Sequence, residues 1–90
     1  MKDKDIAAMR KMVEYAIEIQ SYVNNMDYAQ FLNDRKTVNA CAFLIGQIGE
    51  LVSTISAETQ VECKDIPWRN IKGMRNKIIH DYEKVDYAVL

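Results

Sequence analysis

Val38, Cys41, Ile45, Ile48, Val52 and Ile55 step along the chain by three and four residues without a break. That alternation draws one apolar stripe down an α-helix, and a strand of period two cannot bury it. The spacing predicts a long helix beginning at a cap on Asn33 or Asp34 and ending near Ser56 or Ala57, with Ala42, Leu44 and Leu51 widening its apolar face. Gly46 and Gly49 lie inside that helix, where each costs about 1 kcal/mol relative to alanine. Their expected use is to let another helix come close.

The segments around it read the same way. Lys4 to Asn24 predicts a first helix on the stripe Ile6, Met9, Val13, Ala16 and Val23, interrupted at Gln20 and widened by Met12, Ile19 and Met26. Asn24-Asn25 stops it. Asp27 to Gln30 has the form of a capping box leading into a short turn through Phe31-Leu32. Polar residues from Glu58 to Lys64 predict a loop. Asp65-Ile66-Pro67 then signals a helix start, with the stripe Trp68, Ile71, Arg75, Ile78 and Tyr82 running on to about Tyr82. A break is expected near Glu83-Lys84, followed by a fourth helix capped by Asp86 and cut short at Leu90; an apolar Tyr87–Leu90 end without a stop signal reads as truncated. The expectation is an all-α single domain over residues 1–90, an up-and-down four-helix bundle with a shortened C-terminal helix.

Composition narrows the functional classes. Apolar residues are 49% of the chain, with three glycines and one proline, too apolar and too poorly punctuated for disorder or an all-β fold. The net charge of −1 excludes a bulk nucleic-acid binder, which needs a broad basic face. The charge is uneven, however. Residues 1–63 carry six Lys/Arg against nine Asp/Glu, whereas Ile66 to His80 holds four cations (Arg69, Lys72, Arg75, Lys77) and no acid. Cys41 and Cys63 lack the spacing of a zinc site or a disulfide framework, which points to a reduced, cytoplasmic protein. No apolar run approaches the length of a membrane span, so no membrane partner is expected.

The residues able to do chemistry cluster in Arg75-Asn76-Lys77-Ile78-Ile79-His80-Asp81-Tyr82, which contains the only histidine. Arg75 stands where the stripe asks for an apolar side chain. A guanidinium there must find an anion or stay partly wet, and Glu50 on the facing helix is the obvious ion-pair partner. His80 lies five residues on, rotated about 140° from Arg75 at 100° per residue. The two converge on one anion only if the helix loosens before His80 or if two copies of the chain pair. By itself a histidine near a helix end is an ordinary dipole-stabilised residue. Together, arginine can grip a phosphate, histidine can move a proton at neutral pH, and Asn76 can orient either, a set able to cleave RNA through its 2′-OH without a metal or other cofactor. No metal-ligand spacing accompanies them. Tyr82 reads either as core or as an exposed phenol beside the same site.

Arg75 followed by His80 fits an R-x4-6-H motif. With the lead-in Ile66-Pro67-Trp68, the trailing Tyr82, Ile48-Gly49-Glu50 on the second long helix and Phe31-Leu32-Asn33-Asp34 before it, the chain resembles the HepT-like branch of the HEPN superfamily over residues 4 to 90. That resemblance implies a homodimeric helical bundle with Arg/His sites meeting at the dimer interface. It implies metal-independent endoribonuclease activity and a place as toxin in a toxin–antitoxin pair. The cognate antitoxin would be a minimal nucleotidyltransferase that adenylylates the tyrosine. By position, Arg75 and His80 would be catalytic, Asn76 and Glu50 supporting, and Tyr82 modified. Relatives continue past the position of Leu90. The opposing expectation is a non-catalytic helical module that docks a nucleotidyltransferase and at most binds a phosphate at Arg75.

Overall fold

The computed structural model describes the backbone of residues 1–89 and the side chains of residues 1–78. The chain is all-α, in the order α1 (Asp3–Val23), α2 (Tyr28–Asn33), α3 (Arg35–Thr54), α4 (Ala57–Glu62) and α5 (Trp68–Val89). The helix with the unbroken apolar stripe, α3, is the organising element, because both α1 and α5 pack against it. Its buried residues Cys41, Leu44, Gly49 and Val52 follow the register read from the sequence. None of the five helices is long and apolar enough among the described residues to cross a membrane.

Local chemistry fixes the ends. After α1, Asn25 takes a left-handed conformation at φ 66°, which asparagine tolerates better than most residues, and the chain turns. The Asp27 carboxylate accepts from the Gln30 N–H at 2.8 Å, while the Gln30 side chain accepts from the Asp27 N–H at 2.9 Å, completing the capping box. Asp34 then caps α3 by accepting from the Thr37 N–H at 3.2 Å. Pro67 sits just ahead of α5, its carbonyl accepting from the Ile71 N–H at 3.0 Å.

Three expectations are corrected. The stretch expected as a loop from Glu58 to Lys64 contains most of α4. Ser56 caps it, its hydroxyl accepting from the Thr59 N–H, and Ala57, Glu58 and Gln60 are competent helix formers. Polarity alone was a poor guide, because this short helix uses Thr59 to reach the interior. The break near Glu83-Lys84 does not occur either: α5 continues unbroken to Val89, so Asp86 lies within it and caps nothing. No glycine or proline interrupts that run, and nothing in it forces the helix to stop. The expected short fourth helix is therefore the end of α5, and the bundle consists of three long helices with two short ones between them.

The third correction concerns the face of α1. The inner line is Asp5, Ala8, Met12, Tyr15 and Ile19; of the stripe expected, Met9 and Val23 are half-buried beside it, whereas Ile6, Val13 and Ala16 face outward. Val13 and Ile17 are exposed at 58% and 59%. Two apolar stripes run side by side on α1, and α3 takes the one that also delivers Asp5 to Ser56 and Thr59. The fully buried apolar cluster, Ala8, Val52, Ile55 and Trp68, gathers where the start of α1, the end of α3 and the start of α5 meet. The Trp68 indole N–H donates to the Cys63 carbonyl at 3.1 Å, which anchors the first turn of α5.

Candidate active site

Arg75 projects from α5 toward α3 at the point where α3 has a glycine. A Cβ built on Gly49 would overlap the Arg75 Cβ and stand 2.5 Å from its Cγ, so only glycine permits this approach. Gly46, the other glycine in α3, meets nothing within 4 Å among the described residues. Among the described residues the close contact expected of the pair falls at Gly49, and it receives the arginine stem.

Beyond that stem, the guanidinium reaches Glu50 through Nη2, the ion pair anticipated from the facing helix. Nη1 donates to the Asn76 side-chain oxygen at 3.0 Å. Nε is buried and has no hydrogen-bond partner among the described residues. Of the five N–H bonds of the guanidinium, two are thus engaged and Nε–H is enclosed, so the remaining Nη N–H bonds are the ones that can donate to an anion's oxygens. The Arg75 side chain is 29% exposed and that of Glu50 56%, so the pair is half wet and contributes at most about 1 kcal/mol to stability. Glu50 and Asn76 hold the guanidinium in place more than they hold the fold together.

His80 and Tyr82 have side chains outside the described residues. Their backbone belongs to α5, which stays α-helical across residues 75–80. The helix thus does not loosen before His80. Within one chain the positions remain about 140° apart.

A second ionic cluster escaped the sequence reading. Asp5 is fully buried and accepts from the Ser56 N–H at 3.0 Å, the Ser56 hydroxyl at 2.6 Å and the Thr59 hydroxyl at 2.6 Å. These bonds, those from Ser56 and Thr59 side chains foremost, hold its carboxyl far below the ordinary value of 3.8. Lys4 stands 3.7 Å away and donates to the Thr54 carbonyl at 2.9 Å, satisfying a free carbonyl at the end of α3. This knot ties α1 to the α3–α4 corner and is structural. Cys41 and Cys63 are free thiols, and burial pushes the Cys41 thiol up, so it remains protonated and unreactive at neutral pH.

The class the structure defines is an all-α protein that presents a partly exposed arginine on a helix also bearing the only histidine. Comparison with known proteins gives the family. The model described as "Ribonuclease HepT-like" matches residues 12–90, and the chain belongs to the HepT-like ribonuclease family. Among its relatives, RNase MJ1216 of Methanocaldococcus jannaschii, so named provisionally, is 34% identical over 91 residues, covering all of this chain and 75% of the relative. MJ0125 of the same organism, also provisionally named an RNase, is 33% identical over 91 residues, again all of this chain and 78% of the relative. A Thermococcus cleftensis protein named "Probable ribonuclease HepT" is 37% identical over 76 residues, or 83% of this chain and 69% of the relative. No solved structure gives a significant match.

Proposed function

We propose that this chain is a metal-independent endoribonuclease acting through Arg75 and His80. The observation that carries the reading is the Arg75 guanidinium, partly exposed and held by Glu50 and Asn76, on a helix that carries the only histidine five residues on. In the reaction the ribose 2′-oxygen bonds to the adjacent phosphorus and the 5′-oxygen leaves, giving a 2′,3′-cyclic phosphate end. Arg75 neutralises the charge that accumulates on the non-bridging oxygens, and an imidazole takes the 2′-OH proton while another proton goes to the leaving oxygen.

In a regular α5 the two positions diverge by about 140° within one chain. The reading therefore takes two copies paired across their α5 helices, with Arg75 of one near His80 of the other and the two imidazoles serving as base and acid. It also takes the chain to be the cytoplasmic toxin of a toxin–antitoxin pair, silenced when a minimal nucleotidyltransferase adenylylates Tyr82. Purified protein is expected to cleave RNA in EDTA and to run as a dimer, and His80→Ala is expected to remove the cleavage. Cleavage that persists in that variant, or a stable monomer that cleaves at full rate, overturns the reading.

One observation favours the second reading, a non-catalytic module that docks a nucleotidyltransferase: Glu50 already neutralises Arg75. Arrest of growth on expressing the chain alone, relieved by Arg75→Ala, decides against it.

A further inference from the structure

We infer that α5 carries a track for the RNA backbone, running from the cleavage site toward the start of the helix and ending in a groove beside Trp68. The inference rests on the ribonuclease reading for its substrate but concerns residues that reading does not use. At 100° per residue, Arg69, Lys72, Asn76 and the position of His80 fall within an arc of about 80° on one face of α5. They span about 17 Å along the axis at 1.5 Å per residue, more than one internucleotide link.

Arg69 and Lys72 are exposed, and neither forms an ion pair among the described residues, whereas Arg75 is tied to Glu50. No acid occurs from Ile66 to His80. On the far side of His80 the same face meets Glu83, so the register favours a polyanion leaving the site toward the start of α5. Asn76 joins the two regions, because it lies on the track and its side-chain oxygen accepts from Arg75.

At the other end is a groove of about 300 Å³ lined by Val52, Ser53, Gln60, Trp68, Arg69 and Lys72. Its lining combines an aromatic residue, hydroxyl and amide groups, and two cations on the rim. Trp68 and Val52 are buried beneath it, so what the groove offers a single strand is the two cations for phosphates and the hydroxyl and amide of Ser53 and Gln60 for sugar or base edges. A duplex would need a broader basic face than this acidic chain offers.

The test uses the full chain with both Arg69→Gln and Lys72→Gln, and a 2′-O-methyl RNA decamer that cannot undergo 2′-OH attack. Affinity for the decamer should fall about tenfold, and the slope of log K against log salt should flatten by about 1.4, the value for two lost phosphate contacts on a single strand. With cleavable RNA, KM should rise by a similar factor while kcat stays within about twofold, and cleavage of a dinucleotide should not change. Removing two cations elsewhere, Arg10→Gln with Lys11→Gln, should leave decamer affinity unaltered. Equal losses from both double variants, or wild-type affinity and slope in the α5 variant, overturn the track. The two ideas fail separately. Wild-type protein that binds the decamer through Arg69 and Lys72 but cuts nothing sinks the ribonuclease reading and leaves the track standing; cleavage with an unaffected decamer affinity does the reverse.

Discussion

The two ionic clusters of this small bundle are built to opposite specifications. Asp5 is fully enclosed, and three hydrogen bonds from Ser56 and Thr59 satisfy it. Arg75 is partly open to solvent and has an exposed counter-ion in Glu50, while its buried Nε–H has no partner among the described residues. A charge that is fully enclosed and hydrogen-bonded on both oxygens is closed to a ligand and serves the fold. A charge that still faces solvent beside an exposed counter-ion contributes little to the fold and remains reachable by a ligand. Both clusters sit where another helix meets α3 or its end, so location alone does not separate them.

The sharpest way to break that contrast is to remove each charge and measure both stability and activity. Arg75→Ala is expected to lower RNA cleavage roughly 10²–10³-fold, the usual loss when a transition-state charge partner is removed. The same substitution should reduce stability by no more than about 2 kcal/mol, mostly through the lost stem packing on Gly49. Asp5→Ala should behave oppositely, with Tm falling by roughly 10 °C as Ser56 and Thr59 lose their acceptor while the folded fraction retains its kcat. A large stability loss at Arg75, or a large kcat loss at Asp5, would dissolve the distinction. Gly49→Ala comes next, because it pushes on both properties. A methyl there must displace the Arg75 stem, so stability should drop by about 1–2 kcal/mol despite the better helix propensity of alanine. Displacing the guanidinium should also slow cleavage roughly 10- to 100-fold.

The two clusters also differ in how visible they are in the sequence. Arg75 violates an apolar stripe, and its partner Glu50 lies beside Gly49 on the neighbouring stripe, so both the anomaly and its remedy can be read from helical periodicity. Asp5 violates nothing: an acid in the first turn of a helix is an ordinary dipole partner, and its real partners stand 51 and 54 residues away. Thr59 stands in a stretch whose polarity suggested a loop and Ser56 where the preceding helix was expected to end, whereas the two are inner face and cap of α4. The choice of stripe on α1 was hidden for the same reason, since burying Asp5 rotates the helix and leaves Val13 and Ile17 outside. Long apolar periodicities such as that of α3 identify helices from local sequence. Which of two adjacent faces is buried depends on a tertiary partner that periodicity does not contain.

Acid should separate the clusters next. The Asp5 carboxyl is held well below its ordinary value in the native state, so the unfolded chain binds a proton that the folded chain refuses. Its stabilising contribution is complete above the unfolded value near 4 and is lost as pH falls through the lower folded value, so stability should decline with acid below about pH 4. Asp5→Asn should start lower and decline less steeply over that range, as followed by Tm from about pH 5 to pH 2. A wild-type slope in this variant would place the acid sensitivity on other carboxylates.

The smallest expected effect is the most discriminating for Arg75. Glu50→Gln keeps an acceptor for the guanidinium and removes its counter-charge. Because Glu50 is 56% exposed, stability should change by less than about 1 kcal/mol. If Glu50 only positions the arginine, the glutamine should preserve most of the activity and Glu50→Ala should lower kcat several-fold more. A freed positive charge should also bind RNA somewhat more tightly, with a steeper salt dependence by up to about 0.7, one additional phosphate contact. A glutamine variant as impaired as the alanine variant would show that the carboxylate's charge, and not its hydrogen bond, is what the site requires. That outcome would move Glu50 from holding the arginine to taking part in the proton and charge balance of the reaction itself.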